Sequence, residues 1–449
     1  MEGNLENIKS KYVLRKVADN LSQNQLLKLI NYNKNIQEKL EIGINTYKKV
    51  YNQTIIEIIP CEKFIYGPFI NFPVENEKYF HIYFNNEKNE RKNQKISEDD
   101  NIEKIKIIID EEVNSFNGLF RCAHTIKKIN FHKFNRTDII DMNSMFFGCI
   151  HMQELNNPNF HTNSVTDMSQ MFSVCSRLKK INVQNFITNN VTNMSHMFNK
   201  CSQIKKLNLN HFNTENVTDM SNMFSACSSL EKLNIDNFNT NKVINMSGMF
   251  CLCSSLKELN IYNFNTNEVI YMNTLFYSCS SLKQININNF QTSKVKFMNC
   301  MFAECSSIEE LNLNNFNTEN VHTMECMFSD CKSIKKLNLN NFNTDNVLDM
   351  SCMFDGCSSL KELNIENFNT NKVNYMQKIF SGCSSLEELD LNNFDISNIK
   401  DKSDIFKDCK SLKKLKIDNF KINNIDEINV MFSGCSNELI NRIRNQFNI

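Results

Sequence analysis

From Cys149 a cysteine returns every 26 residues, at 175, 201, 227 and onward to 435, so twelve cysteines obey one period. Phenylalanine keeps the same interval in two columns, Phe134 to Phe420 and Phe146 to Phe432, which together hold 24 of the 35 in the chain. Self-similarity at such a period marks a solenoid. Each turn buries its apolar side chains only against the turns before and after it, so no single unit folds alone. A length of 449 residues would otherwise suggest about three domains, and the repeat overrides that count.

One unit, Ser359 to Ser384, reads SLKELNIENFNTNKVNYMQKIFSGCS. Leu360, Leu363 and Ile365 give the alternation of a short strand with one buried face. A polar bend follows at Asn367, Asn369, Thr370 and Asn371. Val373, Met376, Ile379 and Phe380 then recur at spacings of three and one, which predicts a helical or 3₁₀ turn closing at Gly382-Cys383. Twelve such units run from Ile126 to about Ser436, an irregular strand at Ile102 to Ile109 reads as a rung before them, and Cys122 stands 27 residues ahead of Cys149. The expected fold class is an α/β repeat, a solenoid of about twelve to thirteen turns with a small N-terminal helical domain. Asn157-Pro158 interrupts the pattern of the second unit and marks a soft point.

The flanks divide the chain further. Residues 1–50 are expected to form a helical domain, and 51–101 a small β-containing segment that ends in a polar linker from Asn85 to Asn101. The solenoid would occupy 102–437, and 438–449 a capping helix with Leu439, Ile440, Ile443 and Phe447 at near-helical spacing. Lysine plus arginine balance aspartate plus glutamate at 50 each, so no global pull toward nucleic acid or an anionic membrane is expected. No run of 18 apolar residues occurs, which argues against membrane insertion. Met1 to Ser10 is polar and lacks the apolar core of a secretory leader, so the expected location is cytoplasmic, with the cell surface as the alternative.

The string LNLNNFNTENVHTMECMFSDCKS, Leu311 to Ser333, and its relatives along the chain resemble the BspA-like leucine-rich repeats of 26 residues found in bacterial and protist surface proteins. The resemblance covers about two thirds of the chain. It implies a leucine-rich-repeat solenoid used for protein binding or adhesion, without catalysis. Exported members carry a leader or an anchor, and neither is found here. Residues 8–40 are similar to an F-box, the short helical module that docks substrate receptors onto a ubiquitin ligase. Ile8, Tyr12, Val13, Val17 and Leu21, then Leu26, Leu27, Leu29, Ile30 and Ile36, form its amphipathic stretches. The leading Leu-Pro pair is missing, and Tyr32-Asn33-Lys34 stands where a Val-Cys-x-x-Trp ending belongs. That likeness implies a ubiquitin-ligase adaptor as partner; an unspecialised helical cap accounts for the same residues.

Little in the chain points to chemistry. Thiols one strand spacing apart reach the lower end of disulfide geometry. A Cys between Phe and Ser at the end of each turn is nonetheless a packing position, so buried reduced thiols are expected. Cys300, Cys326 and Cys352 form a second short column. No CxxC pair meets a second pair or a His at zinc spacing, the eight histidines share no column, and Gly-rich phosphate loops are absent. No metal, cofactor or enzymatic activity is expected. Asn234, Asn260, Asn286 and their equivalents are expected to face solvent. Asn237, Asn263 and Asn289 precede a column Phe, where an amide can pair with backbone groups leaving the sheet. On the strand face charges of opposite sign follow one another, as Lys335-Lys336 does Glu309-Glu310, which suits a solubilised sheet of fixed register better than a nucleic-acid groove.

The leading functional reading is a non-enzymatic interaction protein. Between the inward Val and Met of each turn lie two outward positions, usually polar, as in Thr218-Asp219, Leu348-Asp349 and His322-Thr323. In two adjacent turns they become Ile270-Tyr271 and Lys296-Phe297, with Tyr277 in the same turn and Tyr375 three turns beyond Phe297. Aromatics grouped on a polar exterior are typical binding anchors, and a cover for the turn is the bland alternative. A cell-surface adhesin is the rival reading, supported by the sequons Asn190-Val191-Thr192 and Asn216-Val217-Thr218.

Overall fold

The computed structural model describes residues 10–19, 34–40, 44–62, 65–157 and 160–449. Its main body is a solenoid in which the second half of each unit lies directly on that of the next. Single parallel bridges tie Ser115 to Asp141, Asp141 to Asp167 and so on to Tyr375, eleven rungs in all. Stacking of Phe406 on Phe432, with ring centres 4.8 Å apart, carries the column past the last bridge.

Within a rung the backbone donors alternate. Met272, Thr274, Phe276 and Ser278 give their N–H to Phe297, Asn299, Met301 and Ala303 one turn ahead, at 2.7 to 3.1 Å. Leu275, Tyr277 and Cys279 give theirs three residues back, to Met272, Thr274 and Phe276. The result is a ribbon of reverse turns in place of the expected helical turn. A helix returns every N–H to its own turn, whereas here a neighbouring rung accepts every second one. Inward side chains at spacings of three and one follow from either arrangement. The ribbon demands two left-handed residues per turn, four positions apart, such as Thr274 (φ 55°) and Ser278 (φ 57°), and the same columns contain Val174 (φ 63°) and Leu252 (φ 59°). A left-handed residue other than glycine costs about 1–2 kcal/mol. The bond its own N–H makes to the next rung, as from Leu252 to Tyr277 at 2.7 Å, offsets about that much.

Side chains close the remaining gaps. The buried Cys279 thiol donates to the Phe250 carbonyl at 3.1 Å, and the same bond recurs from Cys149 to Cys435. Buried Thr266 donates through Oγ1 to the Gln291 carbonyl and accepts from the Gln291 N–H, both at 2.8 Å. Asn289 gives its amide to the Phe264 carbonyl at 2.7 Å, the role expected of its column. All eighteen cysteines are free thiols.

The strand side is discontinuous. β1 (Thr54–Pro60), β3 (Phe80–Phe84), β5 (Ile105–Ile109), β6 (Ile126–Lys133) and β7 (Glu154–Asn156) form one sheet in the order β3-β5-β1-β6-β7. Its first four strands pair antiparallel, and only β6 and β7 pair parallel. The strand read as an irregular first rung is therefore part of a cap, separated from β6 by β1. The run read as a linker is also held: β4 (Lys95–Ile96) pairs with β2 (Gly67–Pro68), and Ile82 bridges Arg91. Farther on, β8 (Lys206–Asn208) pairs with β9 (Lys232–Asn234), β10 (Lys336–Asn338) with β11 (Glu362–Asn364), and β12 (Glu388–Asp390) with β13 (Lys414–Lys416). Residues 179–182, 257–260, 283–286 and 309–312 carry no strand. Phe224 and Phe250 on the ribbon side are 5.9 Å apart and Phe186 and Phe212 on the strand side 6.4 Å apart, but the gaps do not follow ring spacing, since Phe160 and Phe186 lie at 5.8 Å where residues 179–182 carry no strand.

Helices close both ends. α1 (Lys11–Asp19) packs on α2 (Lys34–Leu40), and α3 (Ile44–Asn52) leads into β1. In the final turn α4 (Ile425–Met431), capped by Asn424, stands where the ribbon would continue. No further rung is there to accept alternate N–H groups, so the backbone closes on itself, Phe432 donating to Ile428. α5 (Asn437–Phe447) then buries Leu439 and Ile443 against the core.

Candidate partner-binding surface

The outward positions of the ribbon have a structural duty in most rungs. Asp219, Asn245 and Asp349 accept through Oδ1 from the N–H two residues on, at 2.8, 3.0 and 2.8 Å, and so cap the turn that follows. Tyr271, Phe297 and Tyr375 occupy the same column and carry no such acceptor. Each gives up that local bond and is exposed, at 39%, 36% and 42%. Tyr271 and Phe297 lie bridged on adjacent rungs with rings 5.4 Å apart and 4° from parallel. His322 continues the stack at 6.4 Å from Phe297. Lys400 sits over the Tyr375 ring at 5.5 Å.

Ile270 is half-buried beside Tyr271. Tyr277 stands apart from the group: it is half-buried and donates to Glu304 at 2.7 Å, and that bond, with burial second, pushes its hydroxyl up to about 12. Sequence reasoning missed Ile244 and underrated Leu348, both exposed in the neighbouring outward column and extending the apolar stripe to either side. Their signal was present, since each is an aliphatic residue in a column that also holds Thr166, Thr192, Thr218 and Asn374.

Cys300, Cys326 and Cys352 occupy one left-handed column of three successive rungs, half-buried, and their thiols bond to one another in series. The Cys326 partner draws the Cys300 thiol below the usual range, while the bond to Cys300 pushes Cys326 up to about 12. Among the described residues no group of three or more His, Cys, Asp or Glu is placed to hold a metal ion, and no helix is long and apolar enough to cross a membrane. Of the F-box-like residues, Val13 and Val17 fall on α1 and Ile36 on α2, whereas Ile8, Leu21, Leu26, Leu27, Leu29 and Ile30 lie outside the described residues.

A family model described as a Mycoplasma protein of unknown function, DUF285, matches in overlapping copies over residues 90–208, 114–233, 178–258, 218–338, 253–361 and 328–445. The chain belongs to the DUF285 family. No curated protein matches it. Solved structures similar to this DUF285 chain include a leucine-rich repeat protein from Bacteroides ovatus, 20% identical over 70% of this chain and 80% of that one, with a TM-score of 0.36. Another from Eubacterium ventriosum is 17% identical over 66% and 80%, with a TM-score of 0.31. A third, titled a TLR13-ssRNA13 complex, is 16% identical over 68% of this chain and 42% of that one, with a TM-score of 0.25. The leucine-rich-repeat architecture of the DUF285 units rests on the ladders described above.

Proposed function

We propose that the protein is a non-enzymatic interaction scaffold that holds a protein partner on its ribbon face, with Tyr271 and Phe297 as anchors. The observation that carries this reading is the exchange made in their column: a turn-capping acceptor is replaced by an exposed, stacked aromatic pair. Rigid aromatic anchors supply contact area with little ordering entropy. A Tyr271→Ser, Phe297→Ser double variant is expected to keep its melting temperature and to lose its main partner in a pull-down. Unchanged recovery removes the patch from consideration, and a large loss of stability makes the pair core.

Two observations support a reducing compartment over a surface adhesin. The thiol column works as a set of S–H donors, which a disulfide would abolish. Asn190 and Asn216, the sequon residues, use Nδ2 to bond the Asn163 and Asn189 carbonyls at 2.7 and 2.9 Å, and a glycan would take one of the two hydrogens on that nitrogen and crowd the neighbouring rung. Cell fractionation with a glycosidase shift assay tests the location. Copurification of a ligase adaptor with the intact chain, and its loss on removal of residues 8–40, tests the F-box-like reading.

A further inference from the structure

The strand face has its own exception. In the C-terminal half lysines meet acids across the rungs: Lys335 with Glu309 at 3.6 Å, Lys413 with Glu387 at 3.8 Å, and Lys336 with Glu362. The column of Lys336 and Glu362, nearer the N terminus, reads Glu154, Lys180, Lys206, Lys232, Glu258. Lys206 and Lys232 lie directly opposite each other on β8 and β9. Among the described residues none of the three lysines has an ion-pair partner, and neither has the exposed Lys179 beside them. The expected alternation of charge gives way in this column, while the column beside it keeps Lys205 with Glu231 at 3.6 Å.

These lysines line a groove of about 1080 Å³. Residues 179–182 within it make no backbone hydrogen bond to either neighbouring rung, so their N–H and C=O groups are open. Asn182 and Asn208 use Oδ1 to accept from Gln184 and Asn210 N–H groups at 3.2 Å, leaving Nδ2 as an outward donor. The groove thus offers cations and amide donors, and its acidic neighbour Glu154 is already bonded to Lys128 at 2.7 Å. The Lys180 and Lys206 rungs are splayed to 6.4 Å, measured at Phe186 and Phe212. Residues on one side of an extended peptide repeat at about 6.6–6.8 Å. A peptide lying along the solenoid axis therefore matches the step from Lys180 to Lys206, while Lys206 and Lys232, on hydrogen-bonded strands, stand about 4.8 Å apart. The lining contains no aromatic residue, so the stacking platform that single-stranded nucleic acid uses is missing.

We propose that this groove binds an extended acidic segment of a protein partner, its carboxylates engaging Lys180, Lys206 and Lys232. The surface is separate from the aromatic stripe, and its failure or success leaves the ribbon-face reading untouched. The probe is a fluorescein-labelled oligoglutamate of about eight residues, titrated against the full chain in fluorescence anisotropy at low and at raised salt, with an oligouridylate of equal charge and a neutral peptide as comparators. Expected are binding of the acidic peptide that weakens with salt, and affinity at least about tenfold lower in Lys180→Glu, Lys206→Glu, Lys232→Glu. Lys336→Glu, on the compensated stretch, and Tyr271→Ser, Phe297→Ser are expected to bind as the parent does. A Lys→Gln version of the triple variant, which adds no new charge, serves if the first fails to fold. No binding at low salt, equal loss in Lys336→Glu, or tighter binding of the oligouridylate would overturn the proposal, the last by making the groove a nucleic-acid surface.

Discussion

The two long faces of the solenoid are made by the same 26-residue unit and hold their rungs together in different ways. On the ribbon every second N–H crosses to the next rung, thiols and threonines add further bonds, and Phe rings stack at 5.9 Å or less. On the strand face only pairs of rungs are bonded, and ring spacing reaches 6.4 Å. Cohesion is concentrated on one side, so residue columns are strict there. The other side has slack in which charge can vary from rung to rung.

Alkaline pH is expected to separate the faces most strongly. Burial raises the thiols of the eleven buried column cysteines, Cys227 and Cys305 for example to about 12 from an ordinary 9.0. They stay protonated in the folded chain while the unfolded chain ionises, so their contribution is complete below pH 9 and falls as pH rises toward 12. Each thiol contributes a slope of about 1.4 kcal/mol per pH unit, and together they exceed the whole stability of a typical domain within roughly one unit. Circular dichroism across this range should show a steep cooperative loss soon above pH 9. A chain still folded and unlabelled by a thiol reagent at about pH 11 would contradict the ribbon's primacy.

Deletions are next in size. Removing Ile334 to Ser359, one whole turn, restores every column at the junction and is expected to melt close to the parent. Removing Ile334 to Asn346 sets a bend against a strand and is expected to unfold the neighbouring rungs. Equal melting curves would break the solenoid description.

Point substitutions sharpen the contrast. Phe302→Ala, in the buried ribbon column, is expected to cost about 3–5 kcal/mol, and Leu311→Ala, half-buried on the unbonded strand face, roughly 1–2 kcal/mol; denaturant titration of both would show whether the order reverses. The smallest effect has the opposite sign. Val174→Gly removes a β-branched residue from the left-handed region and is expected to gain about 1 kcal/mol, whereas glycine at Leu207 on β8 should destabilise. A loss in Val174→Gly would mean that its side-chain packing outweighs the backbone strain.

Much of this was legible from spacing alone. The columns of Cys149 and Phe146 fix the period and the buried set, and the departure at Tyr271 and Phe297 from a polar column exposes the stripe. The ribbon itself was not legible. A helix and a run of turns both put Val373, Met376 and Ile379 inward, and they differ in which carbonyl receives each N–H, which depends on the next rung. Glycine marked only some of the left-handed positions, such as Gly248, Gly356 and Gly382, whereas Thr274, Leu252 and Cys326 fill others. The lysine column was readable but overlooked: Lys180, Lys206 and Lys232 follow one another at 26 residues, and pairing adjacent charges two at a time hides a run of three.

One-sided cohesion also sets how the molecule behaves under tension. Pulled from its C terminus, once α5 is stripped, it presents the ribbon bonds of one rung to the load at a time, because each rung is bonded only to its immediate neighbours. The chain should therefore lengthen by repeated events of similar force. Each frees 26 residues, a contour gain of roughly 90 Å, until the antiparallel cap around β1, sheared along its strands, gives a last and stronger peak.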